Sequence, residues 1–377
     1  MTASLSQPID LVRPKQILFG SGVATRVGPW VGHRDLKKAV VVADTFNAAR
    51  VDVLRLACET IVFDSFRPEP DASDLDRLLA AVEDANPDLI IGFGGGSAMD
   101  LAKLAAVLPG SDQHFMDVIG PDKVHGRSRA LVQVPTTAGT GSEAGTRALV
   151  TDPKTLAKLA VQSDHMLADL AAVDPDLTLS VPRAITVATG VDALAHCVEA
   201  YTSKKAHPTI DLYALEGIRL VGRWLPRVAE NGGDRDARAG MALASLYGGF
   251  CLGPVNTAGG HAVAYPLGSR HHIPHGAANA LIFPHVLAFN APAVPERTAT
   301  ILGALGLAAQ SDPVSVFAVA HKWCVDLGCE MRLSALGVPA DDLPTMADEA
   351  HAIRRLLDNN PRDLTRDDIL AIYRAAA

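Results

Sequence analysis

Four residues in this chain have the types and spacing to do chemistry: Asp192, His196, His261 and His275. Asp192 and His196 lie in GVDALAHCVEAY, four residues apart. A helix would place both side chains on one face, one turn apart. His261 and His275 bracket HAVAYPLGSRHHIPH, which looks too rich in Gly and Pro to form one helix. Three imidazoles and one carboxylate suit a divalent transition metal such as Fe or Zn. The Asp-x3-His pair alone would be a weak signal, because a lone His on an apolar face is more often a satisfied core or surface group. His271 and His272 also leave the ligand assignment open on composition alone. No HExxH is present, so a zincin protease is not supported.

A second set of residues points to phosphate. Gly94-Gly95-Gly96-Ser97 stands between the strand-like LIIGF and the helix-like AMDLAKLAAVL. Glycines in such a turn let the backbone approach a phosphate, and the helix N-terminus behind them offers free N–H groups. The spacing is neither GxGxxG nor a Walker loop, and a glycine turn can also serve packing alone. Pro135-Thr136-Thr137-Ala-Gly-Thr-Gly-Ser142-Glu143 follows LVQV and offers hydroxyls and flexible backbone. Two such loops at the C-terminal ends of strands lie where open α/β sheets bind nucleotides. Asp44 ends AVVVAD. Two readings of it stand: a partner for ribose hydroxyls that would repel a 2′-phosphate, favouring NAD over NADP, or a helix N-cap.

The elements that position these residues are legible. Expected strands are Ile17–Phe19, Ala39–Ala43, Thr60–Phe63, Leu89–Phe93 and Leu131–Val134, with Leu159–Gln162 and Ala171–Asp174 as further short ones. Helices are expected over Ser73–Ala85 and Ala98–Val107. Strand runs without polar alternation indicate burial on both faces of a parallel sheet, hence a doubly wound, Rossmann-like α/β domain. Beyond Pro182 the chain reads as helical: Ala184–Ala200, Thr209–Val228, Ala237–Cys251, Thr298–Leu305 and Val314–Leu327. The boundary is placed at 181/182, giving an α/β domain over 1–181 and an all-helical domain over 182–377.

Composition narrows the function classes. The 377 residues suffice for two cores. A net charge of −8 argues against nucleic acid or an anionic membrane as the main partner. No apolar run approaches the roughly 18–20 residues of a membrane span. The N-terminal MTASLSQPIDLVRPKQ lacks a signal-peptide pattern, so a cytoplasmic location is expected. The five cysteines are scattered without a CxxC, and Cys197, beside His196, reads as packing.

Taken together, Phe19-Gly20-x-Gly22, GGGSAMDLAK, PTTAGTGSE, GVDALAHCVEAY and HAVAYPLGSRHHIPHGAANA resemble the iron-containing (group III) alcohol dehydrogenases over nearly the whole chain. The resemblance implies a dinucleotide-binding domain followed by a helical metal-binding domain. It implies a metal-dependent, NAD(H)-linked alcohol dehydrogenase, or aldehyde or ketone reductase, that acts on a small alcohol or carbonyl as a homodimer or larger assembly. It assigns Asp192, His196, His261 and His275 as ligands of Fe(II), with Zn(II) equally admissible by donor type. It assigns Gly95, Gly96 and Ser97 to the pyrophosphate, Thr136, Thr137 and Ser142 to the second cofactor loop, Asp44 to the ribose and Lys158 to the approach of the cofactor. Asp100 is implied to fix the loop.

One position departs from the pattern. Many relatives carry H-x3-H-P-L-G, with the second His in a proton relay, and here that position is Tyr265. A phenol titrates near 10, against about 6.5 for imidazole, so Tyr265 would not relay protons in the same way near neutral pH. His271 or His272 is a substitute relay candidate. Tyr265 and two arginines, Arg270 and Arg147, motivate a hydroxy- or oxo-acid substrate as an alternative. The chain is also similar to maleylacetate reductases, especially in VLAFNAPAVPE, but Asp192 is intact. The dehydroquinate synthase group, with its lyase chemistry, matches less well.

Overall fold

The computed structural model describes residues 5–377. They divide into two compact units. One comprises Val12–Thr137 and Gly141–Leu179; the other comprises Ser180–Ala377 with Ala138–Thr140 and the N-terminal segment up to Leu11. The units therefore part at Leu179/Ser180, and two short segments from the first half group with the helices.

The first unit is built on strands β1 (Ile17–Phe19), β2 (Lys38–Val42), β3 (Glu59–Phe63), β4 (Leu89–Gly94), β6 (Ala130–Pro135) and β9 (Leu170–Val173). They form one sheet in the order β1-β9-β6-β4-β2-β3, every pair parallel. Consecutive residues face opposite sides, and both sides are covered. Val40, Val42, Ile90 and Leu131 pack with helices α3 (Ala72–Ala85) and α4 (Gly96–Val107). Val41, Ile91 and Val132 pack with Val27 and Val31 of helix α1 (Val27–Gly32) and with Leu54. Double burial explains why these strands carry no polar alternation. Asp71 caps α3 in a capping box with Asp74, as helix-start chemistry requires.

A second, smaller sheet holds β5 (Gly120–Pro121), β8 (Lys158–Gln162) and β7 (Arg147–Thr151), in the order β5-β8-β7. The expected strand over 159–162 thus belongs to this sheet rather than the main one. Its antiparallel partner β7 was not anticipated, because Arg147–Thr151 follows a loop of turn residues and is too short to show a period.

The second unit is helical: α5 (Arg183–Thr202), α6 (Pro208–Glu230), α7 (Arg235–Leu252), α8 (Gly259–His271), α9 (His275–Asn290), α10 (Pro295–Ala304), α11 (Pro313–Asp326), α12 (Leu343–Ala352), α13 (Arg354–Leu357) and α14 (Arg366–Ala375). A short α2 (Thr45–Ala48) lies in the first unit. Cys197 is fully buried in the helical core, consistent with packing. Tyr373 donates its hydroxyl to the Val263 carbonyl at 2.6 Å and ties α14 to α8. The Gly- and Pro-rich stretch after His261 is more helical than its composition suggests. Pro266 is accommodated within α8, and the break falls only at His272–Pro274, where His272 takes a left-handed C-cap conformation.

Candidate metal centre and cofactor loops

Asp192, His196 and Glu199 recur at four and three residues along α5 and so share one face. His261 is in the first turn of α8, and His275 is the first residue of α9. Their donor atoms converge. Asp192 Oδ1 lies 3.4 Å from His275 Nε2, 3.5 Å from His261 Nε2 and 3.8 Å from His196 Nε2. Asp192, His261 and His275 each bring one donor atom within 4.8 Å of the others, and His196 stands at the edge of that group. Four donors about 2.1 Å from one ion in a tetrahedral arrangement would be about 3.4 Å apart, so the spacing fits a divalent metal. His196 Nδ1 is buried with no hydrogen-bond partner, so this ring is held by packing and lacks the acceptor that usually fixes the second nitrogen of a ligand histidine.

The donor set is inward-facing except at one corner. The side chains of Asp192, His196 and His261 are 3%, 6% and 2% exposed, and that of His275 is 32% exposed. A substrate oxygen would therefore approach on the His275 side. Burial pushes the Asp192 carboxyl up, but the surrounding imidazoles outweigh it and hold the group below the ordinary carboxylate range. Burial and the neighbouring imidazoles pull His196 down to about 4 against the attraction of Asp192. His261 is also pulled down by burial, but the carboxylates of Glu199 and Asp192 prevail and raise it to about 10. A divalent ion would have to displace the proton on His261 Nε2.

Two residues around this cluster were missed by sequence reasoning. Glu199 accepts from the backbone N–H of Ala258 and of His261 and from His261 Nδ1. One carboxylate thus caps α8 and fixes the tautomer that turns His261 Nε2 toward Asp192. The contact needs Gly260, since a Cβ there would stand 2.6 Å from Glu199 Oε1. The signal was available: Glu199 continues the Asp192–His196 face by one more turn. Asn279, one turn after His275, donates to Asp192 Oδ1 at 2.7 Å, and its Nδ2 lies 3.3 Å from His261 Nε2 and 3.1 Å from His275 Nε2. Nothing in its sequence context marks it.

Tyr265 belongs to this group of rings. Its centroid lies 5.7 Å from that of His275 and 6.4 Å from that of His261. His271 does not. Ten residues beyond His261 on the same helix, it lies about 15 Å further along the axis and faces elsewhere. Its Nε2 is 3.3 Å from Asp342 Oδ2. His272 is exposed at the helix end. Neither is placed among the rings around Asp192. Arg270 is held by both carboxylate oxygens of Glu349, and Arg147 donates to Gln162 Oε1 at 2.9 Å.

The nucleotide loops lie side by side in the first unit because β4 and β6 are neighbours. Gly94 is in register with Pro135, and the Thr136 N–H donates to the Gly94 carbonyl at 3.0 Å. Gly95 is the N-cap of α4, and Gly96 and Ser97 open the helix with no side-chain cap at its end. Thr137 borders Gly95: a Cβ there would be 3.5 Å from Thr137 Oγ1. Ser142 is engaged elsewhere. It donates to Asp100 Oδ1 at 2.6 Å and accepts from the buried Lys103 at 2.7 Å, so it anchors its loop. Asp44 is the N-cap of α2, with one oxygen accepting from the Asn47 backbone and the other from its amide. The capping role is thus in place, and the remaining lone pairs leave room for a further donor.

Lys158 pairs with Glu69 at 2.8 Å and donates to Thr151 Oγ1 at 2.9 Å, while the Glu69 N–H donates to Ser97 Oγ at 3.1 Å. Glu69, left-handed at φ 53°, therefore links Lys158 to the head of α4. Sequence reasoning did not find it. Burial raises the nearby Glu143 to about 7 against the attraction of Lys103.

A doubly wound parallel unit with a glycine turn heading a helix, and a helical unit carrying a carboxylate–imidazole cluster, define an α/β dehydrogenase with a metal-type site. Comparison with known proteins gives the family. Residues 14–175 match the iron-containing alcohol dehydrogenase model, and residues 186–377 match the C-terminal model of the Fe-containing alcohol dehydrogenase family. Long-chain-alcohol dehydrogenase 1 of Geobacillus thermodenitrificans (strain NG80-2) is 39% identical over 323 residues, 84% of this chain and 81% of that one. The crystal structure of 1,3-propanediol oxidoreductase matches at TM-score 0.93 and 32% identity, over 98% of this chain and 100% of that one. Sulfoacetaldehyde reductase from Bifidobacterium kashiwanohense, in complex with NAD+, matches at TM-score 0.88 and 29% identity, over 98% and 99%. The chain belongs to the iron-containing alcohol dehydrogenase family and is an oxidoreductase of the alcohol dehydrogenase type. Among the described residues, no helix is long and apolar enough to cross a membrane.

Proposed function

We propose that this protein is an NAD(H)-dependent, metal-dependent dehydrogenase that interconverts a small alcohol and its carbonyl. The observation that carries the reading is the convergence of donor atoms from Asp192, His196, His261 and His275. Bound at these residues a divalent ion supplies Lewis acidity toward the substrate oxygen, and the dinucleotide exchanges hydride with the substrate carbon. Asp192 contributes the only negative charge of the donor set. Glu199 keeps His261 in the tautomer that leaves Nε2 available. Gly95, Gly96 and Ser97 offer the open N-terminus of α4 to the pyrophosphate, bordered by Thr136, Thr137 and Lys158. Tyr265, whose ring lies beside those of His261 and His275, is the hydroxyl-bearing side chain assigned to this side of the cluster.

Fe(II) is the expected ion from the family, although the donor types serve Zn(II) as well. NAD rather than NADP is supported by a structural neighbour in complex with NAD+. A cytoplasmic location and a homodimer or larger assembly are part of the same proposal.

The test is anaerobic reconstitution with Fe(II) or Zn(II), followed by NADH oxidation with a panel of aldehydes and ketones, with and without chelator. Chelator-sensitive turnover supports the reading. Turnover indifferent to chelator and confined to maleylacetate would replace it with a metal-free reductase.

A further inference from the structure

The open side of the metal cluster is marked by His275 and Tyr265, the partly exposed members of the ring group. A cation stands on the far side of this pair. The guanidinium carbon of Arg355 lies 5.8 Å from the Tyr265 ring centroid, and that ring is 5.7 Å from His275. Arg355 is the second residue of α13, a one-turn helix whose Leu356 and Leu357 are buried in the core that also holds α8. Asn359 Nδ2 donates to the Arg355 carbonyl at 3.3 Å and further fixes the turn. The side chain is exposed.

The surroundings distinguish Arg355 from an ordinary surface arginine. Its neighbour Arg354 pairs with Asp358, Arg270 with Glu349, and Arg366 with Asp348. No carboxylate pairs with Arg355 among the described residues, although the chain carries a net charge of −8. Its guanidinium lies over the Tyr265 ring instead. A guanidinium at cation–π distance from a ring, with no carboxylate on its N–H groups, keeps those donors available to meet a planar oxyanion bidentately. Arginines 270 and 147, which the sequence offered for this role, already have partners.

We propose that Arg355 anchors an anionic group of the substrate. The substrate class is then a short oxo- or hydroxy-acid with a carboxylate or sulfonate at the end opposite the reacting carbon. The proposal rests on the dehydrogenase reading and names the substrate of that same site.

The test compares 4-oxobutanoate with its methyl ester and with butanal, measuring kcat/KM with NADH in the metal-loaded wild type and in Arg355→Ala and Arg355→Lys. The wild type should prefer the anion by at least about tenfold, the scale of one charged hydrogen-bonded pair. Arg355→Ala should bring the anion-to-ester ratio near one, chiefly through KM, and Arg355→Lys should retain part of it. Titration calorimetry with the unreactive succinate gives a readout independent of turnover: binding should weaken with salt and fall about tenfold in Arg355→Ala. A wild-type preference for butanal or the ester, or equal losses for all three aldehydes in Arg355→Ala, would overturn the proposal. Turnover of none of the three, with succinate binding still dependent on Arg355, would retain the anion site and overturn the dehydrogenase reading instead.

Discussion

Glu199 and His261, 62 residues apart, are joined by a contact of 2.7 Å between Oε1 and Nδ1, and the same oxygen accepts the His261 backbone N–H at 3.2 Å. The carboxylate therefore sets the position of α8 and the tautomer of the ring it carries. Replacing Glu199 by Gln keeps the shape but weakens the acceptor. Metal affinity, measured by competition with a calibrated chelator, is expected to fall by about 10- to 100-fold, with little change in melting temperature. Unchanged affinity would reduce Glu199 to a helix cap.

His275 depends on a close approach of backbones. A Cβ on Gly276 would stand 2.4 Å from the Ala188 carbonyl oxygen of α5, so only glycine lets the head of α9 lie against α5. Gly276→Ala is expected to push α9 outward, costing about 1–3 kcal/mol. It should also lower the bound metal per chain, read by elemental analysis after gel filtration. Full metal content with unaltered stability would show that the helix relaxes without moving His275.

Glu143 supplies a pH dependence. Burial raises its pKa from 4.5 to about 7. Below pH 4.5 both folded and unfolded chains hold the proton. Between 4.5 and 7 the unfolded chain has released it and the folded chain has not, so stability falls as pH rises through that window and levels off above it. Glu143→Gln is neutral throughout. Its melting temperature by calorimetry should match wild type near pH 4.5 and exceed it at pH 8. The difference is about 3 kcal/mol at most, from 1.36 kcal/mol per pKa unit. Parallel curves across the range would show that Glu143 is ionised in the fold.

Tyr265 stands at 5.7 Å, centroid to centroid, from the most exposed imidazole of the cluster. Tyr265→His places a group that titrates near neutrality at that position. A new ionisation near pH 6–7 is expected in log kcat/KM, absent from the wild-type profile. A profile superimposable on wild type would remove residue 265 from proton transfer.

Much of the molecule was written locally. Strands β2, β4 and β6 show as apolar runs because both faces of the sheet are covered. Thr365 and Asp368, three residues apart, form a capping box on α14. Asp192 and His196 fall together because helical periodicity alone puts them on one face. Such features depend on sterics and hydrogen bonds within a few residues, and these act the same way in any fold.

The remainder required the tertiary structure. Ser142 becomes an anchor for Asp100 and Lys103, and His271 comes to lie beside Asp342. Glu69 acquires a role only because β8 and the head of α4 meet it from opposite sides. Sequence by itself determined most of the element types and the inventory of donors. Which donors meet, which arginines are already paired and which side of the cluster is open were decided by packing between residues tens to more than a hundred positions apart. Short-range chemistry carries no record of those distances.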